Sequence, residues 1–242
     1  MIRFRDAFRI IHISWVLLRH GLDEVVLAAH LFRAIRFIRF FSPFYWFSIG
    51  NRPSYGERIR RSLEDLGPIF VKFGQMVSTR RDLLPDDIAD ELVKLQDKVP
   101  PFSGDIAVKQ IEKALKAPLH EVFKNFDRTP LASASIAQVH AATLHDGTDV
   151  VVKVLRPKIE KIIQRDVSLL NTIARLAQRY SKEARRLRPV EVADEFRKTI
   201  FDELDLMREA ANASQLKRNF ENSNLLYVPD VYWDYCRQDV MV

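Results

Sequence analysis

The stretch that decides the fold reads Pro130-Leu-Ala-Ser-Ala-Ser-Ile-Ala-Gln-Val-His140, then Ala141-Ala-Thr-Leu144, His145-Asp-Gly147 and Thr148-Asp-Val-Val-Val-Lys-Val-Leu155. The last segment has the two-residue period of a strand, and its β-branched side chains suit a pleated surface. Asp146-Gly147 between two such segments predicts a hairpin turn, because glycine takes a positive φ without strain. Val150, Val152 and Val154 then point one way, and Val151, Lys153 and Leu155 the other. Lys153 sits among apolar neighbours on a strand expected to be mostly buried. An ammonium in that position requires an anionic partner or gives up its proton.

Working outward toward the C-terminus, Pro157 opens a helix that runs to about residue 180, with Ile159, Ile163, Leu170, Ile173 and Leu176 at helical spacing. A basic stretch, 182–188, links it to the longest expected helix, 189–220, with Phe196, Ile200, Leu204 and Met207 as core candidates. This second helix contains Glu203-Leu-Asp-Leu-Met-Arg-Glu-Ala-Ala-Asn212. If it is straight, Asp205, Glu209 and Asn212 share one face and Glu203 lies almost opposite Asp205. An acidic run is ordinarily a solvated face, but the need of Lys153 for a carboxylate makes this helix its source. Segments 225–232 and 238–242 read as two further strands, so the fold class is α+β.

Outward in the other direction, residues 55–66 read as a helix with Ile59, Leu63 and Leu66 apolar. Gly67 ends it, and Pro68 has the fixed φ that suits the first position of the next helix. That helix carries Lys72-Phe-Gly-Gln75, in which Lys72, Gln75 and Thr79 share a face. A solvated stripe is the ordinary reading of such a trio. Gly74 speaks against it, because glycine inside a helix costs about 1 kcal/mol relative to alanine and marks a close backbone approach. Pro85 starts a helix over 86–98, with acidic residues in its first turn and Lys98 in its last, as the helix dipole favours. Ile88, Leu92, Leu95 and Val99 form its expected buried face. Pro100-Pro101 ends it, and a short helix follows over 104–116.

A chain of 242 residues with 47% hydrophobic and 29% charged residues supports one large core or two small ones and excludes wholesale disorder. The single Cys236 cannot form an internal disulfide, and no signal-peptide pattern is present, which indicates a reducing compartment. Of the net charge of +6, residues 1–61 carry +7 through 11 Arg, no Lys and 4 acidic residues. Residues 10–18 are uncharged but only about half the length of a membrane span. A helix is expected over 22–41, with Arg33, Arg36 and Arg39 interleaved among apolar residues, and an aromatic cluster over 40–47. Arg beside Trp and Phe suits a segment lying in lipid headgroups; packing against the folded body is the competing reading. No nucleic-acid motif accompanies the Arg cluster, so nucleic acid is not an expected partner.

A strand with an embedded lysine after a small-residue turn is how a protein-kinase N-lobe begins. The run 131–139, Val151-Val-Lys-Val-Leu-Arg-Pro157, Glu203-Leu-Asp205, Glu209-Ala-Ala-Asn212 and Lys72-Phe-Gly-Gln75 together resemble the motifs of the UbiB (AarF) family of atypical protein-kinase-like proteins. The resemblance extends from about residue 55 to the C-terminus, and its bacterial branch is implicated in ubiquinone biosynthesis. It implies a kinase-like N-lobe over 129–242, a helical Lys-x-Gly-Gln extension over 55–128 and an Arg/aromatic region over 1–54. It implies that Lys153 pairs with Glu209 and holds the phosphates of ATP or ADP with Mg. Leu131, Ala132, Ser133, Ala134, Ser135, Ile136, Ala137, Gln138 and Val139 would cover those phosphates, where ordinary kinases use glycines. Asn212 would lie on the helix bearing the lysine's partner. Lys72, Gly74 and Gln75 would fold over the pocket, with Lys72 close to Glu203 or Asp205, blocking a protein substrate and favouring ATPase-like or small-molecule chemistry.

By the same resemblance, the catalytic-loop Asp, its Asn and the metal-binding Asp-Phe-Gly belong to a C-lobe that does not follow Val242. Asp65-Leu-Gly67 precedes the lobe and reads as a helix end. No catalytic or metal-ligating residue is therefore expected in this chain, which alone should bind nucleotide weakly and turn nothing over. The implied setting is the cytoplasmic face of the bacterial inner membrane, with quinone-pathway enzymes or lipid-like precursors as partners. A non-catalytic scaffold organising such enzymes is the alternative.

Overall fold

Asp146-Gly147 makes the turn expected of it: Gly147 has φ 89°, and its N–H donates to Leu144 O at 3.0 Å. The Asp146 carboxylate accepts from the Thr148 amide at 2.9 Å, which holds it below the ordinary carboxyl range. This computed structural model describes residues 4–22, 53–96, 99–180, 185–221 and 223–242. The aromatic cluster at 40–47 and, apart from Leu22, the helix expected over 22–41 lie outside them.

Around the turn stands an antiparallel sheet in the order β1 (Phe123–Ser133), β2 (Ala137–Leu144), β3 (Asp149–Leu155) and β4 (Val240–Met241). Val152 and Val154 are fully buried against α5 (Gly104–Leu115), which contributes Ala107 and Ile111 to a core shared with Phe123, Leu144 and Val240. The one-turn α6 (Leu119–Val122) leads directly into β1. On that same face Gln138 and His140 are also fully buried. The Gln138 carbonyl oxygen accepts from Phe102 N–H at 3.0 Å, so its amide nitrogen is the donor toward Phe102 O at 3.1 Å and His140 Nε2 at 2.8 Å. His140 must then carry its proton on Nδ1, which donates to Asp127 O at 2.9 Å.

Several expected boundaries move. The first strand starts at Phe123, well before Pro130, and its register shifts near Pro130, where the missing N–H interrupts the ladder. Segment 225–232 forms no strand: it contains Pro229, and Leu225 and Tyr227 are 90% and 84% exposed. The helix after β3 is α7 (Ile159–Tyr180), the longest among the described residues. It begins two residues past Pro157, because Lys158 takes a left-handed φ of 61°.

The largest correction concerns 189–220, which is two helices, α8 (Pro189–Asp202) and α9 (Leu206–Asn219). The break falls on Glu203-Leu-Asp205. Asp205 leaves the helical region at φ −108°, ψ 91°, and its side chain accepts from Met207 N–H at 3.1 Å, capping α9. The Leu206 amide donates to Gln238 O at 2.9 Å, a bond that a continuous helix would not permit. Leu206, fully buried, takes the core position expected of Met207.

The chain divides into two units, 98–162 with 198–242, which holds the sheet, and 1–97 with 163–197. In the second of these, α1 (Phe4–Arg19) buries Ile13 and Val16, and α2 (Tyr55–Leu66) meets it through Arg58, which donates to Gly21 O at 2.7 Å, and through His20 and Asp65 at 2.8 Å. Gly67, at φ 108°, joins α2 to α3 (Pro68–Ser78) with no spare residue. The helix expected over 86–98 stops early as α4 (Asp86–Leu92), and Leu95 reaches the core from the turn after it. A β-carbon on Gly74 would lie 2.4 Å from Leu95 Cδ1 and 2.7 Å from Leu63 Cδ1. Gly74→Ala should therefore lower stability by up to about 2 kcal/mol, since overpacking of about 1–3 kcal/mol is offset in part by a helix-propensity gain of about 1 kcal/mol. Chemical denaturation checks this; a stabilised variant would contradict it.

Candidate functional site

The face of the sheet opposite α5 is where Lys153 emerges. Strand alternation puts Lys153 beside Val139 across β2 and Met241 across β4, with Ala141 and Val151 on the same face one step along. Because α5 covers only the other face, Val151 is 51% exposed and Lys153 is half-buried, against the expectation of a mostly buried strand. Lys153 Nζ donates to both oxygens of Glu209, at 2.5 and 2.7 Å. Glu209 lies in the first turn of α9, where the helix dipole favours a carboxylate. Side chains this exposed contribute at most about 1 kcal/mol to stability when they pair. The pair orients the ammonium more than it holds the fold together.

The break before α9 separates the other acidic residues. Asp205 is the cap, Glu203 lies in the joint between the helices, and Asn212 is exposed one turn beyond Glu209. Glu209 and Asn212, three residues apart within α9, still share a face, whereas Asp205, as the cap, lies outside the helical region and leaves the expected trio.

The small-residue run 131–139 is the turn joining β1 to β2 with the strand ends that flank it. Leu131, Ala132 and Ala134 are exposed, and Ser133 and Val139 are partly buried. Ser135, Ile136, Ala137 and Gln138 are buried, and the amide of Gln138 is committed to Phe102 and His140. Gln138 thus faces the core and not the Lys153 face, a consequence of strand alternation. Arg156, whose role the sequence reading did not assign, donates through Nε to Ala134 O at 3.0 Å and through Nη2 to Ser133 Oγ at 2.7 Å. Its place just past β3, opposite the turn, was the available signal.

Of the Lys-x-Gly-Gln residues, Gln75 donates to Leu95 O at 3.2 Å and Gly74 admits Leu95 and Leu63, so both serve packing within their own unit. Lys72 belongs to that unit, and Glu203 and Asp205 to the unit of the sheet. Two open clefts of 760 and 740 Å³, both lined in part by Tyr227 and Asp230, include neither Lys153 nor Glu209. Among the described residues, no group of three or more His, Cys, Asp or Glu is placed to hold a metal ion.

Residues 94–242 match the ABC1 atypical kinase-like domain. The chain belongs to the ABC1 atypical kinase-like family. Proteins named probable protein kinase UbiB from Pseudomonas aeruginosa and Pseudomonas fluorescens strain Pf0-1 are 56% and 54% identical over 97% of this chain. The chain spans 44% of the length of these relatives. The solved Rv3197–erythromycin complex from Mycobacterium tuberculosis aligns with a TM-score of 0.51 and 28% identity, over 74% of this chain and 45% of that one. The ABC1 match includes the whole sheet, Lys153 and Glu209.

Asp205→Ala removes the α9 cap and should cost about 1 kcal/mol. Hydrogen exchange should show the Met207 amide exchanging faster; protection equal to the parent would mean that the cap contributes nothing.

Proposed function

We propose that this chain forms the nucleotide-binding part of a UbiB-like atypical kinase or ATPase that supports ubiquinone biosynthesis at a membrane. The observation that carries the reading is the two-oxygen contact of Lys153 with Glu209 on an open sheet face, at the end of which lies a small-residue turn. Glu209 holds the ammonium with one side of its charge still available, so that a phosphate oxygen can join the same cation. Val139, Ala141, Val151 and Met241 present apolar surface beside it, suited to a nucleoside. Bound ATP supplies the transferable phosphoryl group. Mg would be held chiefly by the phosphates and by residues other than these.

The membrane contact is assigned to α1, where Ile11 and Trp15 are each 56% exposed and the Arg19 guanidinium lies 5.5 Å from the Trp15 ring centroid. No helix among the described residues is long and apolar enough to cross a membrane.

In the full-length protein, Lys153→Ala should weaken ATP binding about 10- to 100-fold, the loss expected for a charge-assisted contact. Cells carrying it should make less ubiquinone. Calorimetric ATP affinity and quinone levels both equal to the parent would overturn the reading.

A further inference from the structure

Arg156 touches the β1–β2 turn and the Pro100-Pro101 segment at once. Its backbone N–H donates to Ile136 O at 2.8 Å, its Nε to Ala134 O at 3.0 Å, and its Nη2 to Ser133 Oγ at 2.7 Å and Pro100 O at 3.0 Å. Val99 O lies 3.5 Å from the same Nη2 and accepts from Ser133 Oγ at 3.0 Å. The guanidinium stacks on Phe102, 5.5 Å from its ring centroid, and the Phe102 backbone is held at both its N–H and C=O by Gln138. One side chain therefore joins three backbone carbonyls, a hydroxyl and an aromatic ring.

We propose that Arg156 is a positioning residue that sets the 133–137 turn in a fixed conformation at the end of the β2–β3 pair carrying Lys153. This rests on the nucleotide reading above and adds how the turn is controlled. A turn of Ala and Ser lacks the conformational range of a glycine loop, and Arg156 fixes which of the remaining conformations it takes. Ligand then meets a turn already ordered, and the entropy of ordering it is not lost on binding. Only a guanidinium performs this task, since its planar fork offers donors on two edges and a flat face to the ring, whereas an ammonium offers a single point of charge.

The test uses the full-length protein and a fluorescent ADP analogue, with hydrogen exchange read over residues 134–137 without nucleotide. Arg156→Ala should raise exchange in the turn and increase the nucleotide off-rate about tenfold, with the on-rate changed by less than about twofold. Arg156→Lys, which keeps the charge, should not rescue either measurement. Ser133→Ala should move both in the same direction by about two- to threefold, on the scale of one lost hydrogen bond, and it serves where Arg156→Ala does not fold. Unchanged exchange in Arg156→Ala and Ser133→Ala, or parent-like behaviour of Arg156→Lys, overturns the proposal. Lys153→Ala is run in parallel. If it too leaves nucleotide binding unchanged, the nucleotide reading fails, and the exchange measurement alone decides whether Arg156 holds the turn.

Discussion

An ammonium on a β-strand and a carboxylate on a helix far along the chain meet at 2.5 and 2.7 Å, and the arrangement of the sheet unit is what makes that meeting possible. For Lys153 to reach Glu209, β3 must turn one face to α5 and leave the other open. The chain must also start a helix with Glu209 in its first turn. Both conditions are met by local chemistry. Val152 and Val154 bury completely on the covered face, and Asp205 caps the helix four residues before the carboxylate. The pair itself adds little stability, since both side chains remain partly exposed to water. Its geometry is supported by the core; the core does not depend on it.

The sheet unit is ordered in layers. Hydrophobic packing of α5 on the inner face fixes the strands, and the buried Gln138–His140 pair ties that face to the Phe102 backbone. Arg156 then stacks on the same Phe102 and reaches the turn. Polar groups at the sheet's end are satisfied by one another in sequence, which is why buried amide and imidazole groups are tolerated there. The ABC1 match spans all of these residues.

Much of this was legible in the sequence because period and punctuation are local. The Asp146-Gly147 turn, the valine alternation of β3, the Gly67-Pro68 junction and the close approach at Gly74 all follow from residue types and short spacings. Pairing of Lys153 with Glu209 was legible from the charge requirement of one and the family motif around the other. The interruption at 203–205 was not, because the apolar spacing continues through it and the deciding bond comes from Gln238, which is distant in sequence. The inward aim of Gln138 was masked by reading 131–139 as a loop, when its second half already alternates as a strand. Leu225 to Tyr232 has the composition of a strand, but Pro229 interrupts it and Leu225 and Tyr227 stay exposed.

The interruption between α8 and α9 also bears on how the family can vary. In one continuous helix, an inserted or deleted residue rotates everything downstream by about 100°, which would swing Glu209 away from Lys153. Here the Asp205 cap and the Gln238 carbonyl restart the helix from a fixed point. Changes of length at the joint are absorbed before they reach the carboxylate, so the aim of Glu209 is inherited intact.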